Sequence, residues 1–214
     1  MWVARVVTTL VLTAHGSEDP RSAANARAVA GQVARMRPDL DVRLAFCELN
    51  APNLIDVLNG CSGRALVTPL LLADAYHARV DIPAQIERCG AGHRVRQAGV
   101  LGEDDRLVAV RALAAVAPRL LAGTRWACAT TAFVTRPEPS LAEAADRLRR
   151  RGARRVVIAP WFLAAGRLPD RVRSFADDAG IAMAQPLGAH QLVAETVLDR
   201  FAETLRSRCH SVAA

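Results

Sequence analysis

The sequence predicts an α/β protein made of two lobes, each a parallel sheet covered by helices, with the second lobe shortened. Three observations carry this expectation. Short apolar runs rich in Val, Leu and Ala alternate with longer stretches at helical spacing, as in a parallel sheet whose strands are buried on both faces. The chain has 214 residues, 51% of them apolar and 23% charged, enough to close one large core or two small ones. The second half also repeats part of the first, as two related units would.

In chain order, strands are expected at 8–14, 41–47, 64–72, 94–100, 125–134, 155–163 and 181–186. Helices are expected between them at 20–37, 52–59, 82–90, 103–121, 138–152, 168–179 and 189–207. The first strand is the apolar run through Leu10, Val11 and Leu12, closed by the polar His15-Gly16-Ser17. Asp19-Pro20 then reads as an N-cap followed by Pro at the first helical position; Val29, Val33 and Met36 share one face, and Pro38 stops the helix. Glu103-Asp104-Asp105 fills a first turn with acids, as the helix dipole prefers, with Arg119 in the last turn and Gly123 beyond it.

The repeat aligns Ala45-Phe46 through Pro52-Asn53-Leu54 with Ala132-Phe133 through Pro139-Ser140-Leu141. It continues in Pro69-Leu70-Leu71-Leu72-Ala73 against Pro160-Trp161-Phe162-Leu163-Ala164, and in Leu101-Gly102 against Leu187-Gly188. Nothing in the second half corresponds to Thr8 through Arg37, so the expected lobes are 1–122 and a shortened 123–214.

Composition excludes several classes. No apolar run reaches the ~18 residues of a membrane span, and the opening apolar run lacks a small-x-small cleavage site, so a cytoplasmic protein is expected. The five cysteines are scattered, with no Cys-x-x-Cys pair, which fits neither a disulfide framework nor a zinc or iron–sulfur site. All 28 basic residues are Arg, and the net charge is +7. The excess lies in the second half, with 14 Arg against 9 acids, where the first has 14 against 12. Such a surface favours an anionic partner. The cluster from Arg147 to Arg155 straddles a helix end and has no interleaved aromatics, so it reads as a solvated face rather than a nucleic-acid site. Neither G-x-G-x-x-G nor a P-loop occurs.

Three segments could carry chemistry. His15 follows the first strand, Glu48 the second, and His77 the third, within Tyr76-His77-Ala78-Arg79-Val80-Asp81. Ligands in open parallel sheets bind outside the carboxyl ends of the strands. With strand order 2-1-3-4, the three residues would leave neighbouring strands ~4.8 Å apart and face one point. Alone, each has an ordinary role as a loop or capping residue. Together, two imidazoles and a carboxylate suit Fe²⁺, Co²⁺, Ni²⁺ or Zn²⁺ and suit Mg²⁺ or Ca²⁺ poorly. Asp81 reads as a helix cap with a supporting role to His77 left open. His93, His190 and His210 read as surface or helix-end residues.

These motifs resemble the small class II chelatases of the sirohaem and cobalamin pathways, the sirohydrochlorin chelatase family. The resemblance rests on Leu12-Thr13-Ala14-His15-Gly16-Ser17 with Asp19-Pro20-Arg21, on Ala45-Phe46 with Glu48 and Pro52, on Pro69 to Leu72 with His77 and Asp81-Ile82-Pro83, and on Leu101-Gly102. It implies two flavodoxin-like, chelatase-type lobes with a cleft between them, in which a divalent metal enters sirohydrochlorin without ATP or an organic cofactor. The family's active-site histidines fall on His15 and His77 and its acidic residue on Glu48, as metal ligands and proton acceptors. Gly16, Ser17, Arg21, Tyr76 and Arg79 are the expected substrate contacts, the two arginines for ring carboxylates. Iron is preferred to cobalt as the metal, itself a substrate. In the second lobe Leu168 stands opposite His77 and Thr135 opposite Glu48, so one site per chain follows. A monomer is expected, with a homodimer as the alternative, and neither nucleic acid nor membrane is an expected partner. The competing readings are a non-catalytic tetrapyrrole or metal carrier and a histidine-phosphatase-like hydrolase. The second is weakened by Ala14, which stands where an Arg would grip phosphate.

Overall fold

The computed structural model describes residues 8–90, 92–102, 104, 107, 126–135 and 138–211, the last four by backbone alone. Contacts divide the chain into two units, Met1–Gly102 with Ala189–Ala214, and Glu103–Gly188.

The first unit is a four-stranded parallel sheet with the order supposed above, β2-β1-β3-β4. Its strands are β1 (Thr8–Ala14), β2 (Val42–Phe46), β3 (Arg64–Pro69) and β4 (Val95–Gln97). Five consecutive residues of the central β1 are buried, as a strand covered on both faces requires. Register aligns Ala14 with Phe46 and Thr13 with Pro69, so three strands end together on one edge.

Helix α1 (Pro20–Met36) starts at Asp19, whose carboxylate accepts the Arg21 N–H, with Pro20 in the first turn; it buries Ala23, Ala26, Val29 and Val33. Helix α2 (Leu54–Asn59) is capped by Asn53, and α3 (Ile82–Arg88) follows a π-helical turn over His77–Asp81. Leu54, Leu58, Ile82 and Ile86 from these helices pack on Val11, Ala45, Val67 and Val95 of the sheet.

The second unit holds α4 (Leu141–Arg150), β5 (Val157–Ile158), α5 (Arg167–Asp178) and β6 (Ala182–Met183), with β5 and β6 paired in parallel. The internal repeat recurs in its hydrogen bonds. Phe46 N donates to Pro52 O and Phe133 N to Pro139 O, both at 2.9 Å, each across a cis X-Pro bond. Leu101 N bonds Leu71 O at 2.9 Å, and Leu187 N bonds Phe162 O at 2.8 Å. Gly102 and Gly188 both take φ +65°.

Three expectations change. Residues 126–134 form no strand, and the expected strands at 155–163 and 181–186 shrink to two residues each. In the first unit β1 lies between β2 and β3 and pairs with both, and its counterpart is what the second half of the sequence lacks. Pro160 and Pro186 also remove ladder donors. The expected helix at 103–121 lies almost wholly outside the described residues. Finally, α6 (Gln191–Ser211) belongs with the first unit, whereas a lobe of 123–214 would place it in the second. It packs on α1 and β3, burying Val193, Val197 and Phe201.

Candidate functional site

At the carboxyl edge of the first sheet, the loops after β1 and β2 are laced together. Cys47 N donates to Ala14 O at 2.9 Å and Glu48 N to His15 O at 3.0 Å. Gly16, at φ +105°, makes the approach possible: a Cβ there would lie 1.8 Å from Glu48 O. Asn50 Oδ1 accepts the Ser17 N–H at 2.8 Å, and Ser17 Oγ accepts the Asp19 N–H at 3.0 Å. Leu70 N bonds Thr13 O at 2.8 Å, which aims the chain after β3 toward the same edge.

The structure brings His15, Glu48 and His77 together. His15 Nε2 lies 3.1 Å from Glu48 Oε1, and the two imidazoles meet edge to face with centroids 3.9 Å apart. All three remain reachable from solvent, with side-chain exposures of 39% for His15, 51% for Glu48 and 34% for His77. Tyr76 stands edge-on to His77 at 5.6 Å. His77 opens the π-helical turn, a distortion that recurs at functional sites.

Hydrogen bonding assigns the ring protons. His15 Nδ1 sits 2.7 Å from Gly16 O, which can only accept, so Nδ1 carries a proton. Nε2 then faces Glu48 Oε1 across 3.1 Å, a gap that a proton can bridge. A cation that displaces this proton would satisfy both atoms. His77 Nδ1 lies 3.1 Å from Asp81 Oδ2. Asp81 Oδ1 accepts from Gln85 Nε2 at 2.8 Å, and Gln85 Nε2 also donates to Cys47 O at 3.1 Å. Burial pushes the Asp81 carboxyl up, but the hydrogen bonds from Gln85 and His77 and the charge of the nearby imidazoles outweigh it, and the net direction is down. Burial, then Asp81 and Glu48, push the Cys47 thiol up to about 12, so it is not a metal-ready thiolate. Among the described residues no group of three or more His, Cys, Asp or Glu side chains is arranged so that it could hold a metal ion.

The remaining predicted residues divide. Gly16 and Ser17 shape the loop. Tyr76 is exposed beside His77. Arg21 is bound to Asp19, with Nη2 to Oδ2 at 2.6 Å and Nε to Oδ1 at 3.0 Å; Arg79 pairs with Asp74 at 2.8 Å. Both guanidiniums thus already hold a carboxylate. Sequence reasoning missed Asn50 and Gln85. The signal for Gln85 was present as His77, Asp81 and Gln85 at successive steps of four, one stripe of a helical stretch. Asn50 had none beyond its place in a turn.

Among curated proteins none matches the sequence significantly. Several solved structures share the fold. SirB from Bacillus subtilis with Fe³⁺ superposes with a TM-score of 0.74 at 19% identity, covering 92% of this chain and 95% of that one. The sirohydrochlorin chelatase SirB from Bacillus subtilis subspecies spizizenii in complex with cobalt gives 0.67 at 21% identity, with the same coverage. CbiX, described as the terminal enzyme for biosynthesis of sirohaem in denitrifying bacteria, gives 0.64 at 22%, covering 91% and 98%. The CbiX family model matches residues 9–115 and again 109–204, two successive matches that follow the internal repeat and together span most of the sequence. The chain therefore belongs to the CbiX family.

Proposed function

We propose that the protein inserts a divalent metal into sirohydrochlorin, with Fe²⁺ preferred to Co²⁺. The observation that carries this reading is the meeting of His15, Glu48 and His77 at one sheet edge, two imidazoles in ring contact and one carboxylate 3.1 Å from the first. Insertion exchanges two pyrrole N–H protons for one M²⁺, so the site must give up a metal and accept two protons. His15 and His77 hold the incoming ion as neutral nitrogen ligands, and Glu48 balances its charge. As the ring nitrogens take the ion, the same groups are freed as bases. An open, incomplete ligand set serves this better than a closed cage, which would retain the metal.

The surroundings fit a large planar substrate with anionic edges. Leu49, Tyr76 and Val80, three of the six large apolar side chains exposed among the described residues, flank Glu48 and His77 in the chain. Arg79 is the better placed of the two carboxylate partners, because its pair with Asp74 is exposed and such pairs are weak and exchange readily. Arg21 is held against Asp19, the cap of α1.

The test is an absorbance time course of sirohydrochlorin with Fe²⁺ or Co²⁺, with and without protein. Catalytic stoichiometry is expected; binding without acceleration would instead identify a carrier. His15→Ala and His77→Ala should each abolish insertion while circular dichroism shows a folded protein, and full activity in either variant removes that residue from the mechanism.

A further inference from the structure

We propose that Asp81 is a positioning residue, held in place by Gln85, that keeps the His77 proton on Nδ1 and leaves Nε2 free for the metal. This rests on the metal-insertion reading for its purpose, though not for its geometry.

Cys47 O can only accept a hydrogen bond, so the end of Gln85 that meets it at 3.1 Å is the amide nitrogen. Gln85 is buried, and its second N–H needs an acceptor of its own. It finds Asp81 Oδ1 at 2.8 Å. The carboxylate is thereby fixed, and its other oxygen, Oδ2, faces His77 Nδ1 at 3.1 Å. That oxygen is an acceptor, so a neutral imidazole binds it with Nδ1–H, and the lone pair falls on Nε2. Groups that hold a ligating imidazole by its second nitrogen set its tautomer and raise its basicity. His77 needs this device. His15 has its own in Gly16 O, so both imidazoles reach the site as Nδ1–H tautomers.

The chain of contacts makes a sharp prediction for Asp81→Asn. Gln85 still demands an oxygen at the δ1 position, so the new amide presents its NH₂ to His77 Nδ1. The imidazole must then carry its proton on Nε2, where the metal should bind. The substitution is nearly isosteric, yet it reverses the tautomer.

The experiment is two-bond ¹⁵N–¹H correlation spectroscopy of the metal-free full chain, ¹⁵N-labelled at His, at a pH where His77 is neutral. It is paired with Co²⁺ titration followed by visible absorbance. In the wild type His77 is expected as Nδ1–H; Nε2–H there overturns the proposal without any variant. In Asp81→Asn the proton is expected on Nε2, with Co²⁺ affinity down about 10- to 100-fold. Adding Gln85→Met frees the introduced amide to turn, so the double variant should regain Nδ1–H and part of the affinity. An unchanged tautomer in Asp81→Asn, or a switched tautomer with unchanged Co²⁺ affinity, also overturns it. Failure of the wild type to metallate sirohydrochlorin would defeat the functional reading instead, and the tautomer spectra would still decide whether Asp81 governs His77.

Discussion

At Gly16 the loop after β1 passes so close to Glu48 that any side chain would occupy the space of a backbone carbonyl, and the φ of +105° disfavours an L side chain independently. Gly16→Ala should therefore cost about 2–4 kcal/mol of unfolding free energy, read from denaturant curves. It should also separate His15 from Glu48 and lower insertion activity more than it lowers stability. Cys47 supplies a contrasting case at the same edge. With its pKa pushed up to about 12, its thiolate fraction at pH 8 is roughly 10⁻⁴. Iodoacetamide should leave native Cys47 unmodified on a timescale that labels the unfolded chain completely, checked by mass spectrometry of the peptide.

Among the elements, the repeated turns before α2 and α4 show two sequences meeting one requirement. Asn53 and Ser140 each accept the N–H three residues on, and Ser140 with Glu143 forms a reciprocal capping box. Ser140→Ala should cost about 1 kcal/mol, measured by thermal unfolding of the second unit. In the first unit, Asp41 ties two strands by accepting from Thr9 Oγ1 at 3.0 Å on β1 and from Arg43 on β2. Burial pushes the Asp41 carboxyl up, but the bonds from Arg43 and Thr9 and the Arg43 charge carry it below the usual carboxylate range. Its folded pKa is thus the lower one. The stability it contributes is fully present above the unfolded value and fades as pH falls through the folded value. Stability measured from pH 5 downward should fall less steeply in Asp41→Asn than in the wild type, by a modest amount because the group is partly exposed.

On the scale of the molecule, the C-terminal helix decides which residues make up the first unit. Arg200 Nε donates to Val100 O at 3.0 Å and Nη2 to Leu101 O at 3.1 Å, joining parts of the chain a hundred residues apart. Arg200→Leu leaves these carbonyls without that donor and should cost about 1–3 kcal/mol. Hydrogen exchange should show faster opening of α6 while the amides of β1 stay protected.

How much was legible follows from the range of the interaction involved. The α1 helix with its Asp19-Pro20 start, the repeat and the placing of His15, Glu48 and His77 after three successive strands could be read, because periodicity, caps and strand-end loops are local features, whereas the strand order was only supposed. The Gln85–Asp81–His77 relay was only half legible: spacing by four puts the residues on one stripe, but Gln85 is oriented by Cys47 O, 38 residues away. The pairing of Arg21 and Arg79 with neighbouring acids was missed because charge alone does not reveal which partner a guanidinium takes. The short strands of the second unit were overpredicted because apolar runs read as strands whether or not a neighbour exists to complete the ladder. By itself, then, the sequence determined the elements of the first sheet and the residue types at its carboxyl edge. Only the tertiary structure decided that α6 completes the first unit and which atom of each imidazole holds its proton, because packing and hydrogen-bond direction depend on residues far apart in the chain.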